Sequence, residues 1–458
     1  MSQTEQRNIM IHGNVIPTFL IYAIPWVFAL LAQGSAGIVD GIFIGKFCGT
    51  LQLAATNLVF PVYSVFMAIA IVFCVGGVVR YAKYIGEGNI AHADAIFTKI
   101  MIVMIIFSLL ASLIGYLFTD SILSVLGVQG KVYEYSKIYF LILSAFVPFF
   151  MVSVTLSSFV RADGNVMLAG IAPLFGVALN VILDFVLIAK LEMGVAGAAY
   201  ATGASQLLSL MILLGHFFWK KNNLRFTKKM GSFKEIAMAA YNGSSELFSE
   251  MSTGIIILLY NRVLMEMAGE NGIAAFTIVS YLSFVVMMVG YGVSDNLGPI
   301  ISANYGAKNK RRILQFLGCG ITVELLFGII TVLVLTFSSE NLILMFIDKT
   351  QAGAGEVIKL TSRFILLFKW GFLLSGVNVI LATLFTGLHL PGASLIVAIL
   401  RGIILPLILL NFLPKIFNLG LDGVFMAMPV SEVVTFTVAM IVFAFVWKKR
   451  SKELNVVA

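Results

Sequence analysis

Long apolar runs, each about as long as a bilayer is thick, alternate with short polar clusters along the whole chain. The runs fall near residues 15–41, 53–78, 96–118, 136–160, 168–190, 195–218, 236–264, 272–299, 315–338, 361–387, 393–413 and 421–447. Crossing ~30 Å of hydrocarbon takes ~20 apolar residues in a helix, and a helix satisfies every backbone polar group within its own segment. The pattern therefore predicts an all-α membrane protein of twelve transmembrane helices. The longest internal basic stretch, Lys220–Lys234, lies just before the midpoint. It divides an N-terminal lobe (1–219, helices 1–6) from a C-terminal lobe (236–458, helices 7–12), with 220–235 as a cytoplasmic basic linker.

The two halves also repeat each other. CGTLQLAATNLV (48–59) aligns with AGENGIAAFTIV (268–279), and Gly86-Glu87-Gly88-Asn89 aligns with Gly306-Ala307-Lys308-Asn309. Later in each half, Gly194 and Gly197 align with Gly420 and Gly423. Six spans per half give both copies the same orientation, a parallel repeat about an axis along the membrane normal. Transporters built from such repeats bind substrate at the repeat interface. With both termini inside, most of the 30 Lys and Arg residues fall on the inner side, including Arg80, Arg161, the linker, Lys308–Arg312 and Lys448–Lys452. That bias orients both termini to the cytoplasm.

Composition narrows the class. Hydrophobic residues make up 60% of the 458 positions and charged residues 11%, and mean hydropathy is +1.01. No water-soluble core hides that much apolar surface, so soluble enzymes and disordered scaffolds are excluded. Cys48, Cys74 and Cys319 are isolated, which indicates neither a metal site nor a disulfide framework. The net charge of +8 reflects basic cytoplasmic loops rather than a nucleic-acid partner. No GxxxxGK(S/T) loop exists to hold ATP, and neither HExxH nor GxSxG occurs, so a membrane-embedded enzyme lacks its catalytic cluster.

Six stretches carry a family resemblance: IVDGIFIGKFCGTLQLAATNLVFP (38–61), FVRADGN (159–165), NVILDFVLIAKLEMGVAGAAYATGASQ (180–206), SELFSEMSTGIIILLYN (245–261), GPIISANYGAKNKRRI (298–313) and LGLDGVFMAMPVSE (419–432). In this order, on a twelve-span repeat, they resemble the MATE (multidrug and toxic compound extrusion) family, and most of all its MepA-like bacterial branch. The resemblance implies a multidrug efflux antiporter of the bacterial inner membrane, acting as a monomer. Cationic amphiphilic drugs or dyes would leave in exchange for H⁺, with Na⁺ the other candidate ion, and no cofactor would be needed. The alternative is a flippase of a lipid-linked or other amphiphilic metabolite. Such flippases tend to line their cavity with Arg and Lys for pyrophosphate, whereas the spans here offer acids plus Lys369 and Arg401.

Ionisable groups inside spans cost ~2.5–3.5 kcal/mol each on insertion scales, which makes them functional candidates. Asp184 lies roughly 24 Å up a helix rising from the inside at 1.5 Å per residue. Asp40, Asn57 and Thr202 fall at a similar depth, and Asn180 sits one turn from Asp184 on the same face. Two neighbouring carboxylates in a low dielectric cannot both ionise, so such a pocket holds an exchangeable proton. The resemblance places proton coupling on these Asp, Asn and Thr positions. The plainer alternative is that Asp40 caps a helix and Asp184 satisfies a buried network. Glu246 and Glu250, at i and i+4, share one face near mid-membrane. Glu250 matches the acid the family carries in this helix. The two would attract a lipophilic cation, or else bond to Lys369 or Arg401. Arg401 and Glu432 read as a structural pair, and Asp295 and Glu324 carry no assigned role. Pro25 inside the first helix predicts a hinge or a static kink. Arg161 and Asp163 read as shaping a cytoplasmic loop. The tenth span (361–387) carries Lys369 where sodium-coupled relatives use a carboxylate, which argues against Na⁺. His389 stands where the branch has glycine.

Overall fold

A computed structural model describes residues 9–218, 222–347 and 353–454. Arg7, Lys220, Lys221 and the expected lobe boundary at 219/220 lie outside the described residues. Within them no strand occurs. Eleven helical runs are long and apolar enough to cross a membrane. They are α1 (Val15–Cys48), α2 (Thr50–Gly86), α3 (Ile90–Leu117), α4 (Gly130–Ala162), α5 (Val166–Lys190), α6 (Gly194–Phe218), α7 (Lys234–Gly306), α8 (Lys310–Phe337), α9 (Ala354–Gly387), α10 (Pro391–Lys415) and α11 (Gly420–Leu454).

Helix α7 holds two spans in its 73 residues. Its backbone leaves the helical region at Gly269, with φ 60° and ψ −149°, a conformation open to glycine. Tyr260 and Phe276 stack at 4.6 Å with ring planes 2° apart, which requires the two limbs to run back along each other. The sequence predicts a loop between 264 and 272, and one glycine makes the whole turn instead. The helices also outrun their apolar cores: α2 has 37 residues, or ~55 Å at 1.5 Å each.

The repeat extends to the turns. Gly88 has φ 72° and Gly164 φ 99°, and the next residues, Asn89 and Asn165, cap α3 and α5 by accepting from the backbone N–H of His92 and Leu168. In the second half Lys308 (φ 56°) and His389 (φ 57°) take the left-handed place. Asn309 again caps α8, while Leu390 stands at the fourth cap. Gly194 and Gly420 likewise share positive φ, 61° and 54°. Gly197 and Gly423 each press on the end of the preceding helix, at Leu187 and Leu413.

The chain forms two compact units, residues 1–243 and 244–458. In the first, Tyr81 and Phe97 meet Phe159 edge-on at 5.6 and 5.2 Å. Asp163, in the turn after α4, is buried. It accepts from Tyr81 Oη at 2.8 Å and from the Asn223 backbone N–H at 3.0 Å, with His216 Nε2 at 3.2 Å. The Arg161 guanidinium lies 3.8 Å from the Trp26 ring centre. The turn thus anchors the basic segment as well as shaping its own loop. Farther along that segment, Lys99 donates to the Ser232 carbonyl at 3.0 Å and pairs with Glu235. Pro25 of α1 faces Gly170 of α5, where a Cβ would come within 3.0 Å of the proline ring. In the second unit, Phe364 stacks on Phe425 at 4.2 Å and on Phe276 at 6.1 Å.

The tightest crossing in the first unit joins α2 and α7. A Cβ at Gly76 would collide with the Ala239 carbonyl, and one at Gly243 with that of Val72. Gly76→Ala should therefore destabilise by ~1–3 kcal/mol through overpacking. Gly254→Ala, with nothing within 4 Å, should leave stability unchanged or raise it by up to ~1 kcal/mol. Thermal unfolding in detergent checks both; equal responses at the two glycines would remove the crossing as a constraint.

Candidate functional site

The first unit assembles a carboxyl pair where three helix ends meet. Asp40 lies on α1, four residues before its π-helical end Ile44–Cys48. Asp184 opens the π-helical end of α5, Asp184–Lys190. Widened turns of this kind re-aim side chains and occur often at functional sites. Ile44, Ile188 and Ala198 pack the ends of α1, α5 and α6 together. Asp184 is 0% exposed, and neither of its oxygens has a hydrogen-bond partner among the described residues. Asp40 is half-buried. Its carboxyl faces Asp184, Asn180 and Thr202, and Thr202 Oγ1 donates to Asp40 Oδ2 at 3.3 Å. Tyr139 of α4 borders both aspartates. Neither acid has an ion-pair partner among the described residues. Asn57 is exposed and is not one of the groups facing Asp40.

The second unit gathers a larger polar group. Glu246 and Glu250, on the first limb of α7, and Asp295, on the second, lie within electrostatic reach of one another. Glu246 is half-buried and Glu250 exposed at the surface of the unit. Tyr291 interacts with these acids and with Arg401. Arg401, in the π-helical stretch Leu400–Ile404 of α10, donates from Nε to Glu432 Oε1 at 2.8 Å. Asn378 Nδ2 donates to Glu432 Oε2 at 2.6 Å and to its carbonyl at 2.9 Å. Arg401 is therefore occupied by Glu432. Lys369, also buried, donates to Thr336 Oγ1 at 2.8 Å. Neither Glu246 nor Glu250 forms an ion pair among the described residues. A Cβ at Gly402 would strike Ser252, so α7 and α10 are held tightly together beside this group. Glu324 is buried against Gly376, with Oε1 unpartnered.

The MatE family model matches residues 25–186 and 246–413, one segment in each unit. The chain belongs to the MATE family. Multidrug export protein MepA of Staphylococcus haemolyticus (strain JCSC1435) is 25% identical over 451 residues, covering 96% of this chain and 95% of that protein. MepA of Staphylococcus aureus (strain N315) is 25% identical over 447 residues, again covering 96% and 95%. Among solved structures, the outward-facing conformation of a multidrug resistance MATE family transporter of the MOP superfamily superimposes with a TM-score of 0.89. It is 22% identical, covering 99% of this chain and 100% of that one. A MOP superfamily transporter from Pyrococcus furiosus Vc1 (DSM3638) also gives 0.89, at 22% identity and coverages of 98% and 99%. This MATE protein is thus a multi-pass membrane transporter of a multidrug export family.

Sequence reasoning about this MATE transporter misses Tyr139, Tyr291 and Asn378. Asn378 leaves a signal, a lone amide inside the apolar run LLSGVNVILATL. The tyrosines leave none, because membrane spans use Tyr freely.

The Arg401–Glu432 pair generates a stability test. Side-chain exposures are 14% and 1%, so removing one partner strands the other. Glu432→Ala alone should cost ~3–5 kcal/mol, and the double change Arg401→Met, Glu432→Leu much less. Unfolding midpoints in detergent should place the double variant above Glu432→Ala; a double variant at the sum of its single changes would show the two side chains to be uncoupled.

Proposed function

We propose that this chain is a secondary active multidrug efflux antiporter that exports cationic amphiphilic compounds in exchange for protons by alternating access. It resides in the bacterial cytoplasmic membrane with both termini in the cytoplasm. The observation that carries the reading is the Asp40–Asp184 pair. Two acids, one fully buried, face each other with Asn180 and Thr202 alongside and, among the described residues, no Lys or Arg within ion-pair distance. Two negative charges side by side in a low dielectric repel strongly. The pair keeps a proton until a cation or a change of solvent access displaces it, which is the property an antiporter needs.

The acids of the second unit support the substrate class. Glu246 and Glu250 present negative charge that no basic residue neutralises within ion-pair distance among the described residues. Such a group attracts a lipophilic cation and repels the pyrophosphate of a flippase substrate. For sodium, a hard cation wants several oxygen ligands, and α9 supplies Lys369, already bonded to Thr336, where a second carboxylate would serve. The proton is the better-supported ion.

Dye efflux from everted vesicles under an imposed ΔpH, with and without Na⁺, tests the coupling. Wild type should respond to ΔpH alone, and Asp184→Asn should abolish that response while the protein stays folded. Efflux that requires Na⁺ and ignores ΔpH would overturn the assignment. Glu250→Gln should weaken binding of a lipophilic cation by on the order of tenfold and leave a neutral analogue unchanged. Equal losses for both would assign Glu250 to packing.

A further inference from the structure

The repeat supplies an internal control on surface charge. The turn before α3 and the turn before α8 share one backbone plan, and the orientation proposed above makes both cytoplasmic. In the first, Gly86-Glu87-Gly88-Asn89 runs into Ile90-Ala91-His92, and Glu87 pairs with Lys83 at 3.5 Å. In the second, Gly306-Ala307-Lys308-Asn309 runs into Lys310-Arg311-Arg312. A topological need for positive charge inside would apply to both turns alike, so it does not explain why one copy alone is basic. Lys308 moreover occupies a left-handed backbone position, φ 56°, that its counterpart fills with glycine. A side chain there costs stability, so the lysine stands against the local preference of the turn.

A second element completes the surface. Lys310 Nζ lies 5.9 Å from the Trp447 ring centre and the Arg450 guanidinium 5.6 Å from that of Tyr305. These contacts bring the end of α11 to the start of α8. This junction gathers a basic rim of Lys308, Lys310 and Arg311 at the start of α8, with Lys448, Lys449 and Lys452 following at the end of α11, and among the described residues none has an acid within ion-pair distance. The neighbouring acid, Glu453, is taken by Arg450. Below the rim, Ile441 and Phe445 of α11 are 53% and 76% exposed, and Trp447 sits between apolar and basic surface, the placement favoured at headgroup depth.

We propose that this rim of the second unit binds the headgroup of an anionic phospholipid of the cytoplasmic leaflet, with its acyl chains along Ile441 and Phe445. Unpaired Lys and Arg supply the charge for the phosphodiester, and the apolar stripe on α11 selects a lipid over a free phosphate. Each basic residue at an anionic surface contributes on the order of fivefold in binding. The inference uses the orientation proposed above, and its test does not depend on that orientation or on transport.

The purified full chain is equilibrated in mixed micelles with phosphatidylglycerol and phosphatidylcholine, and the retained lipid is quantified by mass spectrometry. Wild type should retain phosphatidylglycerol at least tenfold over phosphatidylcholine. Changing Lys308, Lys310, Arg311 and Lys448 to Gln should bring that ratio near parity, whereas a charge-matched variant of the first unit (Lys83, Lys228, Lys229 and Lys234 to Gln) should keep it. Lys308→Gly, which gives the turn its preferred residue and so keeps the fold, should lower the ratio about fivefold. Glycerol phosphate added in excess should not displace the lipid. The proposal is overturned if Lys308→Gly retains the wild-type ratio, if both multiple variants lose it equally, or if glycerol phosphate strips the lipid.

Discussion

A carboxylic acid or ammonium group inside hydrocarbon must find an opposite charge, a hydrogen-bond partner or a proton. The interior of this chain follows from how each buried group meets that demand. Arg401 and Glu432 neutralise each other, and Asn378 satisfies the remaining carboxylate oxygen. Lys369 rests on a single hydroxyl, Thr336. Among the described residues, Asp40 and Asp184 face each other, an amide and a hydroxyl, with no ion-pair partner. The first arrangement is satisfied by fixed protein groups and serves as a rivet between α9, α10 and α11. On the proposed function, a proton satisfies the last, and the pair then answers to whatever the pocket is open to. On that reading one constraint gives a fixed point in the second unit and a responsive one in the first.

The repeat shows how two copies of one plan divide that labour. Both copies keep the left-handed turn residue, with an Asn cap at every turn but that of Leu390, the glycines at 194 and 420, and the close approach of Gly197 and Gly423 to the preceding helix. These are backbone requirements that any copy must meet to fold. The side chains projecting from that backbone have diverged. The first unit turns the π-helical end of α5 into a seat for Asp184, and the second uses a π-helical stretch of α10 to aim Arg401 at Glu432. At the turn before α8 the second unit even accepts Lys308 in a glycine position.

Much of the fold was legible because membrane helices announce themselves by length. The twelve apolar runs, the six-plus-six repeat and the family followed from stretches of sequence long enough to average out local detail. Gly269 escaped because its turn needs one residue, and the small and polar stretch from Ala268 to Gly272 reads as a loop. The site was legible in depth and less so in azimuth. Counting residues at 1.5 Å each placed Asp40, Asp184, Thr202 and Asn57 at a similar level, with Asn180 one turn from Asp184. Depth alone does not say which way a side chain points, and the π-helical turns at Ile44 and Asp184 shift the phase further. Hence Thr202 reaches Asp40, while Asn57 is exposed on α2. Tyr139 was invisible for the same reason, since its place beside the two aspartates depends on the packing of α4 against two helix ends.

The central claim is that drug and proton compete for one transport cycle through Asp40 and Asp184. Linkage then requires that binding of a lipophilic cation change the number of bound protons. The direct measurement is proton release into weakly buffered detergent solution when such a cation is added to the purified protein near neutral pH. The account predicts release of protons in proportion to bound cation, lost when either aspartate is replaced by asparagine. Cation binding of undiminished affinity with no proton release from the wild-type protein would contradict it.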